Sequence, residues 1–300
     1  MKERRLDKPI ETIVLWLQEC SDKEIKPWQY DLKWEIYYHL KPEDHGVMRF
    51  LKSRAGYYWD AKYLPDRENT VEVEDCILMQ CIYKLLWKET SKYATAERIK
   101  NKSQENYPDA DIMNSFWSPY KKRLNAAKLI PNNAEQENIT KAQYRYQENL
   151  QELLDKYNLD KYSGINAEYG RFAEMTHTIG NCTLLPIGFK NNNRMDWVST
   201  WSERLAKMNA KLKNGSGQEK YNKDFYMEDY KSKWSYNDPD YVEKTVNAIN
   251  HRGKLMTAHL CGEILQNTQH NDKPQNIDIK MLVKKWGLEN LLNIDDSKQW

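Results

Sequence analysis

The residues best suited to chemistry lie in one short segment near the middle of the chain. Residues 176–196 read Thr-His-Thr-Ile-Gly-Asn-Cys-Thr-Leu-Leu-Pro-Ile-Gly-Phe-Lys-Asn-Asn-Asn-Arg-Met-Asp. An imidazole such as that of His177 can act as a general base. Amide and carboxylate groups, here those of Asn181, Asn193 and Asp196, can orient a base or bind a cation. The segment therefore contains residues that look chosen for something other than packing, with a purely structural histidine at a strand end as the alternative.

The elements that would position these residues can be read from the same segment. The apolar run Thr183-Leu-Leu185 lies between Gly180 and Pro186, which is typical of a short strand. The asparagines at 191–193 suit a turn and a helix N-cap. Residues 195–213 then return to helical spacing of apolar residues. The pattern predicts a strand, an Asn-rich turn and an amphipathic helix.

Basic residues are concentrated at this turn and helix. Between Lys190 and Lys213 there are six basic and two acidic residues, which gives a local net charge of +4. Such a cluster suits contacts with phosphate groups. We expect the nucleic-acid contacts to come from Lys190, Arg194, Arg204 and Lys207. The alternative is that these charges only solvate one face of the helix.

The order of these features resembles a known family. The run from His177 to Leu185, the following Asn cluster and a helix with Trp201 and Arg204 are similar to the "LGNLTLL…N" signature of one nuclease domain. This is the C-terminal HNH-like nuclease domain of GmrSD-type restriction enzymes, a family of bacterial anti-phage defence. The resemblance covers about residues 165–268. It includes a later "W…I..R…L" pattern at Trp234, Ile249, Arg252, Leu255 and Ala258.

The resemblance implies a ββα fold that hydrolyses phosphodiesters of DNA or RNA with one divalent ion, Mg²⁺ or Mn²⁺. His177 would be the base and Asn181 would orient it, while Asn193 and Asp196 would assist the metal. The family, however, places its base histidine in an "EHILP"-like strand upstream of the GN strand. This chain has no histidine between His45 and His177. A catalytically degenerate relative that binds a protein or a nucleic acid is therefore the first alternative.

A second alternative uses other residues. Arg252 and His259 have the R-x6-H spacing that resembles the motif of HEPN ribonucleases, which cleave RNA without a metal. Arg171 and His177 also satisfy this loose spacing. Arginine and histidine fall at such distances often by chance, so an ordinary helix surface or salt bridge remains the simpler interpretation of both pairs.

Composition excludes several classes of protein. The 46 basic and 44 acidic residues leave a net charge of +2, which forecasts no bulk binding of polyanions. The five cysteines are odd in number and form no CxxC pair, which argues against a disulfide framework or a zinc knuckle. The chain contains no P-loop, no GxGxxG, no HExxH and no GxSxG motif.

The turn-forming residues are too few for a β-rich fold, with 11 Gly and 10 Pro in 300 residues. We therefore expect a mainly α fold, with a helical region at 1–160. The resemblance implies that a small HNH-like α+β module follows at 161–300. Apolar periodicity predicts helices at 10–20, 72–93 and 277–293, and a further one from Asp238-Pro239 onward. Asp109 or Asp111 is predicted to cap a helix that runs to about Leu129.

The sequence also gives an expectation for location and partners. No run of 18 apolar residues occurs, and Met1-Lys-Glu-Arg-Arg does not begin a secretory signal. We expect a cytoplasmic protein that does not enter a membrane. Its expected partners are DNA or RNA, with a partner protein or a second copy of the chain as further candidates.

Overall fold

A computed structural model describes the helices and strands that surround the segment of interest. It covers residues 4–32, 35, 73, 76–87, 99–100, 106–107, 110–114, 119, 171–172, 174–184, 200–205, 221–230, 234–267 and 277–292. These residues are mostly helical, which confirms the mainly α expectation at that level. The strands among them form two small antiparallel sheets.

The helices are α1 (Pro9–Asp22), α2 (Ile77–Leu86), α3 (Tyr241–Asn267), α4 (Ile279–Lys285) and α5 (Glu289–Leu292). The strands are β1 (Ile99–Lys100), β2 (Asn106–Tyr107), β3 (Ala110–Ile112) and β4 (Cys182–Leu184). Three short 3₁₀ turns cover Pro27–Gln29, Ile179–Asn181 and Glu228–Tyr230. Strand β1 pairs with β2, and β3 pairs with β4.

Helices α1 and α2 pack against each other, as their apolar stripes require. Helix α1 begins with Pro9, whose fixed φ suits a first helical position. The predicted helix over 10–20 is confirmed, whereas the helix predicted over 72–93 is shorter and covers Ile77–Leu86, with Cys76 and Trp87 as its caps. The chain before α1 is fixed by a buried ion pair, because the Arg4 guanidinium contacts both Glu19 and Glu35.

Helix α3 is the longest of the described helices and contacts α2, α4, α5 and the 3₁₀ turns Pro27–Gln29 and Ile179–Asn181. It begins at Tyr241, two residues after the predicted Pro239. The 3₁₀ turn Ile179–Asn181 lies directly against its middle, where Gly180 faces the backbone of Ile249 and Gly253. A Cβ on Gly180 would approach the Gly253 nitrogen to 2.9 Å and come closer still to the Ile249 oxygen. This close approach requires glycine.

The predicted last helix is two helices. Helix α4 ends at Lys285, and Gly287 follows with a φ of +67°, a left-handed conformation that ends a helix. Helix α5 begins two residues later at Glu289. At the other end of α4, the Asp278 side chain accepts a hydrogen bond from the Met281 nitrogen and caps the helix.

Strand β4 confirms the predicted strand after Gly180, and its partner corrects another prediction. The sequence suggests Asp111 as a helix cap, but this residue lies in the middle of β3, opposite Thr183 of β4. Because the two strands are far apart in sequence, no local pattern around Asp111 signals the pairing. The hydrogen bond from the Met113 nitrogen to the Asn181 oxygen extends the contact beyond the strands.

The described residues on both sides of position 160 share one hydrophobic core. Trp16 of α1, Leu78 of α2, Leu184 of β4 and Ile249 of α3 all belong to it. The division at about residue 160 therefore stays a prediction, and the β3–β4 pair crosses it. Within the described part of the chain, no helix is both long and apolar enough to cross a bilayer.

Candidate functional site

Asn181 joins the two strands through every polar atom of its side chain. Its Oδ1 accepts hydrogen bonds from the main-chain nitrogen and the Nδ2 of Asn114, each at 3.0 Å. Its Nδ2 donates to the oxygens of Asn114 at 2.7 Å and Thr176 at 2.8 Å. The residue is fully buried. A side chain that satisfies four internal hydrogen bonds is not available to orient a substrate or a base.

His177 lies just before the 3₁₀ turn and is 7% exposed. Its main-chain oxygen accepts a hydrogen bond of 2.9 Å from the Leu32 nitrogen, which attaches this segment to the chain that follows α1. A general base has to reach both a water molecule and a phosphodiester. The enclosure of the ring agrees better with the structural alternative that the sequence left open.

Arg204 is buried against the β3–β4 strand pair instead of facing solvent. Its Nη2 donates to the Met113 oxygen, and its Nη1 lies 3.9 Å from Oδ2 of Asp111. The guanidinium also stacks over the Trp201 ring, 5.0 Å from the centroid. Only 6% of the residue is exposed. Arg204 therefore holds a helical segment to the strand pair, and this burial leaves it little surface for a phosphate group.

Arg252 is the cation at the centre of this region, and none of its surface is exposed. Its Nε donates to the Phe225 oxygen at 2.9 Å. Its Nη1 donates to the oxygens of Gly180 at 2.9 Å and Cys182 at 2.7 Å. Burial lowers the pKa of the Arg252 guanidinium, and the surrounding tyrosines, Tyr230 first, act in the opposite direction. Arg252 therefore joins α3 to the 3₁₀ turn Ile179–Asn181, to the start of β4 and to residues 221–230 through backbone carbonyls.

The members of the Arg252–His259 pair have separate partners. The Nδ1 of His259 is hydrogen-bonded to the Tyr226 hydroxyl. The Arg252 guanidinium is sealed among three backbone carbonyls, so it has no path to an RNA phosphate. In this arrangement Arg252 is not placed to contact RNA, as the metal-independent ribonuclease hypothesis requires.

The remaining predicted site residues lie outside the described residues. They are the two metal-assisting positions Asn193 and Asp196 and the basic positions Lys190, Arg194 and Lys207. Among the residues that the structure does describe, no group of three His, Cys, Asp or Glu side chains is placed to hold a metal. The carboxylate of β3, Asp111, accepts from the Ile112 nitrogen at 2.8 Å and faces Arg204. These described groups do not fit a divalent ion.

Sequence reasoning missed Asn114, which links β3 to the segment before β4. Asn114 supplies three of the hydrogen bonds to Asn181 and donates to the Tyr230 hydroxyl at 3.2 Å. Its only local signal is its position shortly after the breaker Pro108-Asp109. No family model matches the chain, and neither a curated protein nor a solved structure is similar to it.

Proposed function

We propose that this chain is a nucleic-acid-binding protein with a catalytically degenerate HNH-like module. The observation that carries the proposal is the use of Asn181. The residue to which the resemblance gives a catalytic role directs all its polar atoms to the protein's own backbone and to Asn114. His177 and Arg204 are enclosed in the same way. In this proposal the β3–β4 strand pair acts as a scaffold, and the activity of the chain is binding.

The basic segment supplies the binding part of the proposal. Once Arg204 is set aside, the stretch from Lys190 to Lys213 still holds five basic and two acidic residues, a net charge of +3. Ammonium and guanidinium groups of this kind release counterions from a phosphate backbone, so the affinity falls with salt. Contacts of this type carry little sequence information.

The second candidate is active phosphodiester hydrolysis, and the strand pair favours it. Strands β3 and β4 are antiparallel, and helical residues 201–205 follow β4 in the chain, while helical residues 171–172 and 174–176 lie between the two strands. An antiparallel strand pair followed by a helix is part of the ββα fold that the resemblance implies for an HNH-like nuclease. The two candidates therefore share a scaffold and differ in whether a phosphodiester is cut.

One experiment separates them. Labelled DNA and RNA are titrated with the protein in EDTA, and the binding is followed by fluorescence anisotropy at several salt concentrations. The same substrates are then incubated with Mg²⁺ or Mn²⁺ and resolved on a gel. We expect salt-sensitive binding and no cleavage. Metal-dependent cleavage that disappears in His177→Ala would replace this proposal with the nuclease.

A matched pair of variants tests the basic segment. The double variant Lys190→Gln and Arg194→Gln removes two charges of this segment. The control Lys280→Gln with Lys284→Gln removes exposed charges of α4. We expect the first variant to weaken binding uniformly across sequences and the control to bind like the natural chain. Equal binding by all three proteins contradicts the assignment of this segment.

A further inference from the structure

Two exposed lysines from distant parts of the chain meet at one indole ring. The Nζ of Lys26 lies 5.9 Å from the centroid of the Trp28 ring, and the Nζ of Lys254 lies 5.7 Å from it. The two ammonium groups are therefore at most about 12 Å apart. This span is comparable with the Debye length of about 10 Å at 0.1 M salt, so their potentials reinforce each other.

The ring beneath them is held by the fold. Trp28 is 2% exposed, and its Cβ packs so closely on α3 that a Cβ on Gly253 would lie 2.6 Å from it. An ammonium group near an indole face is attracted by the ring quadrupole. The packing of Trp28 on α3 therefore brings the two lysines, which come from distant parts of the chain, to one ring.

The two charges differ from those exposed lysines that have a carboxylate partner. Lys23 pairs with Glu19, and Lys244 pairs with Asp240. Within the part of the chain that the structure describes, no carboxylate forms a salt bridge with Lys26 or Lys254. Glu24 lies two residues before Lys26 and is itself exposed. Two ammonium groups within about 12 Å of each other and without a salt bridge to a described carboxylate attract an anion such as a phosphate group.

We propose that Lys26 and Lys254, which we call the lysine pair, contact the phosphate backbone of a nucleic acid. This inference rests on the proposed nucleic-acid-binding function and adds a surface outside residues 190–213. Trp28 is too buried to stack on a base, so the contact is electrostatic and independent of sequence. The lysine pair lies beside the contact of Gly180 with Gly253. The β3–β4 strand pair is therefore next to the phosphate backbone that the lysines would bind.

The test compares two double variants of the full chain. Lys26→Gln with Lys254→Gln removes the lysine pair, and Lys280→Gln with Lys284→Gln removes the same charge from α4. Binding of a fluorescein-labelled DNA duplex is measured by anisotropy over a series of salt concentrations. For the first variant we expect the slope of log Kobs against log[salt] to fall by about 0.9 for each phosphate that is no longer neutralised. The control should keep the natural slope, and both variants should keep the natural melting temperature.

Each other outcome has a separate meaning. If the natural chain binds and both double variants bind equally well, the lysine pair does not touch the nucleic acid, while the proposed function stands. If the natural chain does not bind, both proposals fail. A third variant, Lys26→Arg with Lys254→Arg, keeps the charges. Should this variant lose affinity together with melting temperature, the lysines only cover Trp28, and the inference is overturned.

Discussion

Two neighbouring regions of this molecule use polar side chains in opposite ways. Beside the β3–β4 strand pair, Asn181 and Arg204 turn inward and bind the protein's own carbonyls and amides. Around Trp28, the ammonium groups of Lys26 and Lys254 turn outward. The segment with Asn181 and β4 contains the sequence that most resembles a catalytic motif, whereas the lysine pair has no motif.

The difference shows that residue type and spacing do not determine which way a side chain faces. An asparagine with four internal hydrogen bonds is part of the scaffold, because each buried group that loses its partner costs about 1–3 kcal/mol. An exposed lysine adds little to stability, and its charge remains free to act on a partner. We therefore expect substitutions around the β3–β4 strand pair to change stability and substitutions in the lysine pair to change binding.

The largest effect is expected for Arg252→Met. The change leaves the carbonyls of Phe225, Gly180 and Cys182 without their donor. We expect the free energy of unfolding to fall by at least about 3 kcal/mol, because three buried acceptors lose a hydrogen bond. Urea denaturation followed by circular dichroism measures it. The adjacent exposed His251→Gln is the control, with a change below about 1 kcal/mol. Natural stability in Arg252→Met would mean that this region is not held by Arg252.

Asn181→Ala is expected to have the next largest effect. It removes both links to the Asn114 backbone and the link to Thr176, so the free energy of unfolding should fall by about 2–3 kcal/mol. Urea denaturation again provides the measurement. A stable Asn181→Ala protein that has lost an activity would instead restore the catalytic interpretation of this residue and weaken the contrast between the two regions.

A smaller effect is expected for the Asp111–Arg204 pair. The Nη1 of Arg204 and the Oδ2 of Asp111 lie 3.9 Å apart, and Arg204 also donates to the Met113 oxygen. A double-mutant cycle of Asp111→Asn and Arg204→Gln should give an interaction energy of about 1 kcal/mol. The salt dependence of nucleic-acid binding should not change in any of these variants. A lower slope in Arg204→Gln would show that Arg204 reaches the nucleic acid after all.

Alkaline pH should weaken the fold gradually. Burial raises the pKa of Tyr221 from 10.0 to about 12, and it raises the pKa of Cys81 from 9.0 to about 11. The neutral forms are favoured in the folded state, so their stabilising effect is complete below about pH 9 and is lost as the pH rises towards about 12. The Tyr221 hydroxyl donates to the Leu184 oxygen at the end of β4. We expect the melting temperature to fall across this pH range, and a flat profile would contradict this.

Local patterns predicted the helices well. The apolar stripes of α1, α2 and α3 and the breakers around β4 are properties of short stretches of chain, so sequence alone reveals them. The strand at Asp111 was missed because its partner lies in β4, across a long intervening stretch. The break between α4 and α5 depends on the single positive φ of Gly287.

The site was harder to predict than the fold. The segment around His177 and Asn181 is unusual in its sequence, but its polar groups bind residues that are distant along the chain. Asn114, for example, is 67 positions from Asn181. The lysine pair joins residues from both ends of the chain, and only the packing of Trp28 on α3 brings them together. No single-sequence pattern contains that information.

The contact between Gly180 and Gly253 gives a criterion for recognising relatives of this protein. A methyl group at Gly180 would push the turn away from the backbone of α3, and a methyl group at Gly253 would collide with the Cβ of Trp28. Related chains with the same architecture should therefore keep glycine at both positions even where the polar residues diverge. A pair of glycines at this separation would serve as a search key that does not depend on any assumption about chemistry.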